Sequence, residues 1–404
     1  MMNKIMITKI EEKHYTQTIV REYVRNTSDE NAMDLCLILE EKPMSKKKLL
    51  LVNDYVIWEN ICNLKCKYCK EEKVTWKRKG DILYIGNSSI KVSDIIKKVN
   101  TILEKVNMII DTPILKVSGG EITIIPEILE WINQIKDKYE IIQILTNNYL
   151  TPENLYEKII RMGNIHLQIS LDGHTYEMNR YRFANKKQFE KVIENFKTLM
   201  AYPNIPVEIN CVLSDINYLT LLNYLEWIMN FDRDNLIVNI FPVRGVKGVK
   251  VPMEAVNSLK NILINYRYYS KILPPYPYIQ SLYNFIKYQE KISCLIPYAV
   301  IGTYDTGNIN LCTCSPTLPN LGNVLKNKLM EITDKIYNPA FYKPLQTNPP
   351  KYKACKECFI HYDIINLYFK NRITENDLKH MPFYSGTKTI QRLKYIKKII
   401  KGGM

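Results

Sequence analysis

Leu49-Leu50-Leu51-Val52-Asn53-Asp54-Tyr55-Val56-Ile57, followed shortly by Cys62-Asn63-Leu64-Lys65-Cys66-Lys67-Tyr68-Cys69, is the stretch that decides how this chain is read. The first part is a short apolar run that reads as a buried strand. The second is a CxxxCxxC spacing. Three thiolates this close can bind three corners of a [4Fe–4S] cube and leave the fourth iron without a protein ligand. That open iron can bind a small molecule and pass it one electron. Structural zinc sites are closed by four ligands, and bacterial ferredoxins space their cysteines differently.

Outward from this stretch, β runs alternate with helical ones as far as residue 245. Strands are expected at Leu50–Trp58, Ile114–Ser118, Ile141–Thr146, His166–Leu171, Pro206–Leu213 and Leu236–Phe241. Helices are expected between them at Ser93–Val106, Ile125–Lys138, Glu153–Met162, Lys187–Tyr202 and Tyr218–Asn230. Repeated βα units imply parallel strands with helices outside. The expected class is α/β, a partial (β/α)6 TIM-like barrel over 50–245, with its chemistry at the C-terminal strand ends. Residues 1–49 are expected to be an N-terminal extension and 246–290 a helical bridge broken by Leu273-Pro274-Pro275-Tyr276-Pro277. Residues 291–365 are expected to form a small cysteine-rich module, and 366–404 a tail ending in a basic amphipathic helix. Polar residues recur at period two in several strands: His166, Gln168 and Ser170; Glu208 and Asn210; Lys116 and Ser118; Gln143; Asn239. Inside a barrel such a stripe must find partners, which points to a polar lining.

Further motifs follow in order. Ser118-Gly119-Gly120-Glu121 ends the second strand, Thr146-Asn147-Asn148 the third, and Ser170-Leu171-Asp172-Gly173 the fourth, with Arg182 twelve residues after Ser170. Glycine lets backbone approach closely because no Cβ intervenes. Together with CxxxCxxC, these resemble the motifs of the radical S-adenosylmethionine (SAM) superfamily. The resemblance implies that Cys62, Cys66 and Cys69 hold the [4Fe–4S] cluster. It implies that Tyr68, Gly119, Gly120, Glu121, Asn147, Ser170, Asp172, Arg182, Val212 and Leu213 surround SAM. Arg182, with Arg180 as its competitor, would grip the SAM carboxylate, a task that suits a planar guanidinium. Val212 and Leu213 would pack on adenine. Where TNG is usual, Asn148 replaces glycine, and asparagine also tolerates positive φ.

A second cysteine group reads C-x12-G-x4-C from Cys294 through Gly307 to Cys312, with Cys355 and Cys358 as a CxxC. Tyr304 to Asn308 carries hairpin-turn chemistry. This resembles the twitch module, a shortened SPASM domain, and implies one auxiliary [4Fe–4S] cluster held by Cys294, Cys312, Cys355 and Cys358. The spacing is nearest that of radical SAM dehydrogenases acting on aminocyclitols. Cys314 competes with Cys312, and zinc with the cluster. Cys36 and Cys211 remain as core residues or hydrogen-atom donors. His166 and His174 are structural residues or bases, and no catalytic residue is singled out.

The chain has 404 residues, 46% of them hydrophobic, and a net charge of +15. No run approaches the ~20 apolar residues of a membrane span, and no signal-peptide core is visible. Ten cysteines without such a signal suit a reducing compartment, so the chain is read as cytoplasmic. The positive charge is spread over the surface. The expected function is reductive cleavage of SAM to a 5′-deoxyadenosyl radical, which oxidises or crosslinks an unactivated C–H position of a ribosomal peptide, the auxiliary cluster accepting an electron. The alternative substrate is a small polar molecule, an aminocyclitol or nucleotide sugar. About 50 residues precede the barrel, fewer than a leader-binding domain of ~80 residues needs. An electron donor such as flavodoxin or ferredoxin is expected as partner; membrane and nucleic acid are not. The rival from another class is a non-enzymatic zinc- or nucleic-acid-binding protein.

Overall fold

The run Val52–Ile57, here β1, is buried at every position. It pairs in parallel with Ile114–Gly119, here β2. The ladder continues in parallel through Ile141–Thr146 (β3), Ile165–Ser170 (β4), Val207–Leu213 (β5) and Leu236–Pro242 (β6). The computed structural model describes residues 47–58, 60–69, 73–244, 248–313 and 318–402, with the backbone of a strand pair, Thr8–Lys9 and Val20–Arg21. Two compact units separate at 47/48. Cys36 and Cys314 lie outside the described residues.

The crossover helices are Val92–Ile109 (α1), Glu127–Ile135 (α2), Leu155–Met162 (α3), Lys186–Met200 (α4) and Leu221–Met229 (α5). Each turns an apolar stripe to the sheet, as i, i+3, i+4 spacing dictates. In α4 that stripe is Phe189, Val192, Phe196 and Leu199, and the side chain of Asn185 caps the helix by accepting from Gln188 N at 3.0 Å. The six barrel strands and five helices thus stand where the sequence places them, within a few residues. Between the first cysteines and α1, however, lies a three-stranded antiparallel meander, Trp76–Lys79, Ile82–Ile85 and Ser88–Lys91. The sequence reading assigned it no structure.

The sheet also continues past the barrel. Val300–Tyr304 (β7) lies parallel beside β1, and Asn308–Asn310 (β8) and Asn320–Asn323 (β9) add antiparallel strands, giving nine in order among the described residues. The cysteine-rich stretch is therefore stitched onto the barrel by main-chain hydrogen bonds. Gly307 makes the β7–β8 turn at φ +86°, the conformation only glycine enters freely. Helices Ala255–Ile264 and Tyr276–Tyr288 flank the proline-rich break. The last helix, Thr387–Gly402 (α6), buries Thr389, Ile390, Leu393 and Ile396. Arg392 donates to Leu50 O at 2.7 Å and pairs with Asp111, so this segment docks on the sheet's N-terminal edge.

Candidate active site

Cys62, Cys66 and Cys69 are half-buried on the loop leaving β1. Cys69 N donates to Cys66 O at 3.0 Å, closing a turn between these two cysteines. Leu64 N donates to Cys62 Sγ at 3.4 Å, and Asn147 Nδ2 approaches the same sulfur at 3.8 Å. Burial pushes the Cys66 thiol up to about 11, and the neighbouring Cys62 and Cys69 sulfurs push the same way. Two N–H groups point at Cys62 Sγ, which suits a thiolate ligand.

The other motifs hold this loop. Gly119 and Gly120 are glycines because a Cβ there would lie 1.7 Å from Ile57 O and 2.0 Å from Ile61 O. Their first role is to let the end of β2 slide against the cysteine loop. Glu121 is wholly buried. Its carboxylate accepts from Thr146 Oγ1 at 2.7 Å, Asn147 N at 2.7 Å, Thr123 Oγ1 at 2.7 Å and Thr123 N at 3.2 Å. Glu121 thus clamps two motif loops together. Burial nonetheless raises its pKa above the ordinary carboxylate value. Asn148 adopts φ +57°, as the asparagine-for-glycine reading requires. Asn147 donates to Asn63 Oδ1 at 2.7 Å, reaching back into the cysteine loop.

Asp172 is the hub of the opposite wall. It accepts from Arg182 Nη2 at 2.9 Å and Nε at 3.3 Å, from Val212 N at 2.9 Å, and from the Tyr68 hydroxyl. Arg182 is therefore tied to Asp172 in a buried two-pronged pair, while Arg180 lies over the Tyr181 ring at 5.8 Å. Ser170 and Val212 are half-buried at the opening, whereas Leu213 is wholly buried in the core.

Below the opening, the polar stripe bonds to itself. Glu208 Oε2 accepts from Gln143 Nε2 at 3.1 Å, Asn239 Nδ2 at 3.2 Å and Gln168 Nε2 at 3.4 Å. Oxygens of Gln143, Gln168, Glu208, Asn210 and Asn239 remain buried without a donor. On the β1 side, Asp54 accepts from Ser118 Oγ at 3.0 Å, Thr313 Oγ1 at 3.1 Å and Tyr362 OH at 3.1 Å, and Lys116 Nζ lies 3.2 Å from His361 Nε2. Sequence reasoning missed Asp54, His361 and Tyr362. A lone carboxylate inside the apolar run Val52–Ile57 was the available signal. His361 is held neutral by burial, helped by Lys116 and Arg244. His166 is likewise pushed down to about 4 by burial, and Cys211 is fully buried.

Cys294, Cys312, Cys355 and Cys358 line one cavity with Lys291, Ile296, Leu318 and Leu345. Among the described residues, no three His, Cys, Asp or Glu side chains converge tightly enough for a single ion, and no disulfide links the described cysteines. Four sulfurs walling a cavity suit a cluster of several atoms better than one zinc. Burial pushes the Cys294 thiol up strongly and Cys355 to about 11, so metal loading must displace protons.

Residues 56–228 match the family described as the Radical SAM superfamily. A curated protein named "Probable GTP 3',8-cyclase" from Methanocaldococcus jannaschii is 26% identical over 190 residues, covering 46% of this chain and 57% of that protein. Its namesake from Saccharolobus islandicus is 24% identical over 186 residues, 46% of this chain and 55% of that one. The chain thus spans little more than half the length of these relatives. Streptococcus suis SuiB bound to S-adenosylmethionine shares the fold at TM-score 0.51 and 16% identity, covering 74% of this chain and 68% of that one. The anSMEcpe structure with bound AdoMet does so at TM-score 0.54 and 15% identity, covering 86% and 99%. No described helix is long and apolar enough to cross a membrane.

Proposed function

We propose that this chain, an enzyme carrying a radical SAM superfamily domain over residues 56–228, cleaves SAM reductively and oxidises a C–H position of its substrate, with two iron–sulfur clusters. The first cluster, on Cys62, Cys66 and Cys69, would supply the electron that cleaves SAM, and the second, on Cys294, Cys312, Cys355 and Cys358, would take one from the substrate. The observation that carries this reading is the pairing of three half-buried cysteines at the strand ends with four cysteines lining one cavity. The motif loops hold SAM's place at the opening: Gly119 and Gly120 bring β2 against the cysteine loop, and Asp172 fixes Tyr68, Arg182 and the Val212 amide. Ser170 and Val212 border the same space. Net oxidation removes a hydrogen atom, then one electron and one proton. The released proton passes to solvent. The second cluster's electron must leave through a one-electron carrier of the flavodoxin or ferredoxin type. Since the radical SAM domain is an enzyme's domain, the non-enzymatic zinc- or nucleic-acid-binding alternative falls.

A peptide is the preferred substrate. SuiB has been solved bound to precursor peptide SuiA, and anSMEcpe bound to Kp18Cys peptide; these are likenesses of fold. The second reading, a small molecule rich in N–H and O–H groups, draws support from the donorless oxygens around Glu208. Iron analysis of anaerobically reconstituted protein tests the two-cluster claim. About eight irons per chain are expected, falling to about four when Cys62, Cys66 and Cys69 become alanine and again to about four for Cys355→Ala with Cys358→Ala. Four irons in the unaltered chain and none after the triple substitution would remove the second cluster. Deuterium transfer from a labelled substrate into 5′-deoxyadenosine then separates peptide from small molecule.

A further inference from the structure

We infer that Arg244 tunes the second cysteine site, making it a better electron acceptor than four buried thiolates alone would be. This rests on the reading that Cys294, Cys312, Cys355 and Cys358 hold a cluster. Arg244 Nη1 lies 2.8 Å from Cys358 Sγ, donating a charge-assisted hydrogen bond to the sulfur. Arg244 stands two residues beyond the end of β6 at Pro242, so it reaches from the barrel's opening to the second site. A further cation, Lys291, lines the same cavity, nearly buried, and its charge is partly offset by Asp363 at 3.5 Å. The remaining wall is apolar, including Ile296, Pro297, Leu318, Leu345 and Ile360.

In such surroundings the cost of adding negative charge is set by the nearest cations and by hydrogen bonds to sulfur. A cluster on four thiolates is already anionic, and apolar walls oppose further reduction. Arg244 supplies both compensating features in one side chain. Arg244 also contributes to keeping His361 neutral. Its proposed role is tuning, exerted through Cys358 Sγ.

The test is an EPR-monitored redox titration of the full-length chain carrying Cys62→Ala, Cys66→Ala and Cys69→Ala, which leaves only the second site to report. Arg244→Gln removes the charge and is expected to weaken reduction about tenfold, a negative shift of about 59 mV for one electron. Arg244→Lys keeps the charge and should recover most of that loss. A cluster that loads normally with an unchanged potential in Arg244→Gln overturns the inference while leaving the two-cluster reading intact. Absence of any cluster in the triple-alanine background overturns the reading itself. Should Arg244→Gln fail to load iron, the Lys291→Gln, Asp363→Asn pair is measured instead. It removes one charge of each sign and leaves Arg244 in place, so its potential should change less than threefold; a tenfold fall there overturns the assignment to Arg244.

Discussion

Cys62, Cys66 and Cys69 sit half-buried on a loop gripped by polar side chains, whereas Cys294, Cys312 and Cys355 are buried and share with Cys358 a cavity of largely aliphatic walls. The first loop is fixed through Asp172 and Tyr68, through Glu121 and its four donors, and through Asn147 on Asn63. The second group depends on packing and on the sheet that β7 extends from β1. The contrast is chemical. A site that must admit a cosubstrate needs an exposed face, so it is held by directional hydrogen bonds at its back. A site that only exchanges electrons can be closed, and closure leaves its tuning to the few charges walled in with it.

Breaking the polar grip should have the largest effect. Asp172→Ala leaves the Arg182 guanidinium buried without its carboxylate, at a cost of about 4 kcal/mol. It should weaken SAM binding while leaving the second cluster's iron in place; equilibrium unfolding and SAM titration measure the two. Loss of iron from both sites alike would erase the distinction drawn here. Leu345→Ala probes the other side. Leu345 is 1% exposed and walls the four-cysteine cavity. The substitution should cost about 3 kcal/mol and lower iron at the second site, with SAM cleavage retained at the first.

A third region should contribute to the pH response of stability without touching either cysteine group. Burial holds His166 at about 4 against an ordinary 6.5. Its folded-state value is the lower one, so its contribution is complete above about 6.5 and is lost as pH falls toward about 4, amounting to about 3 kcal/mol at most. Denaturant unfolding of His166→Gln should show a correspondingly shallower loss across that window; parallel curves for the two proteins would contradict it. The smallest effect is expected at α6. Glu140 accepts from Lys388 N at 2.9 Å, Thr389 N at 2.7 Å and Thr389 Oγ1 at 2.8 Å at the start of that helix. Glu140→Gln should cost about 1 kcal/mol, read as a small drop in unfolding midpoint with both clusters unaffected.

The barrel was legible because its strands are apolar runs bounded by loops and its helices carry stripes at helical spacing. Ile141–Thr146 appears with the expected bounds. The meander at Trp76–Lys91 escaped because its strands are only four residues long and bury nothing but Leu83. The pairing of Val300–Tyr304 with Val52–Ile57 escaped for another reason: period-two patterning marks a strand but not its partner some 250 residues away. At the site, the cysteines, the glycines and Asn148 could be found because spacing and backbone conformation are local properties. The work of Glu121, Asp172 and Arg182 could not, since each is defined by hydrogen bonds to other loops. Arg244 had no local signal at all.

The central claim is that three cysteines on the loop after β1 build a centre that splits SAM. Its most direct test is to incubate the anaerobically reconstituted chain with SAM and dithionite and quantify 5′-deoxyadenosine by chromatography. The account predicts product from the unaltered chain and none above background when Cys62, Cys66 and Cys69 are alanine. Equal amounts from both proteins, or none from either, would contradict it.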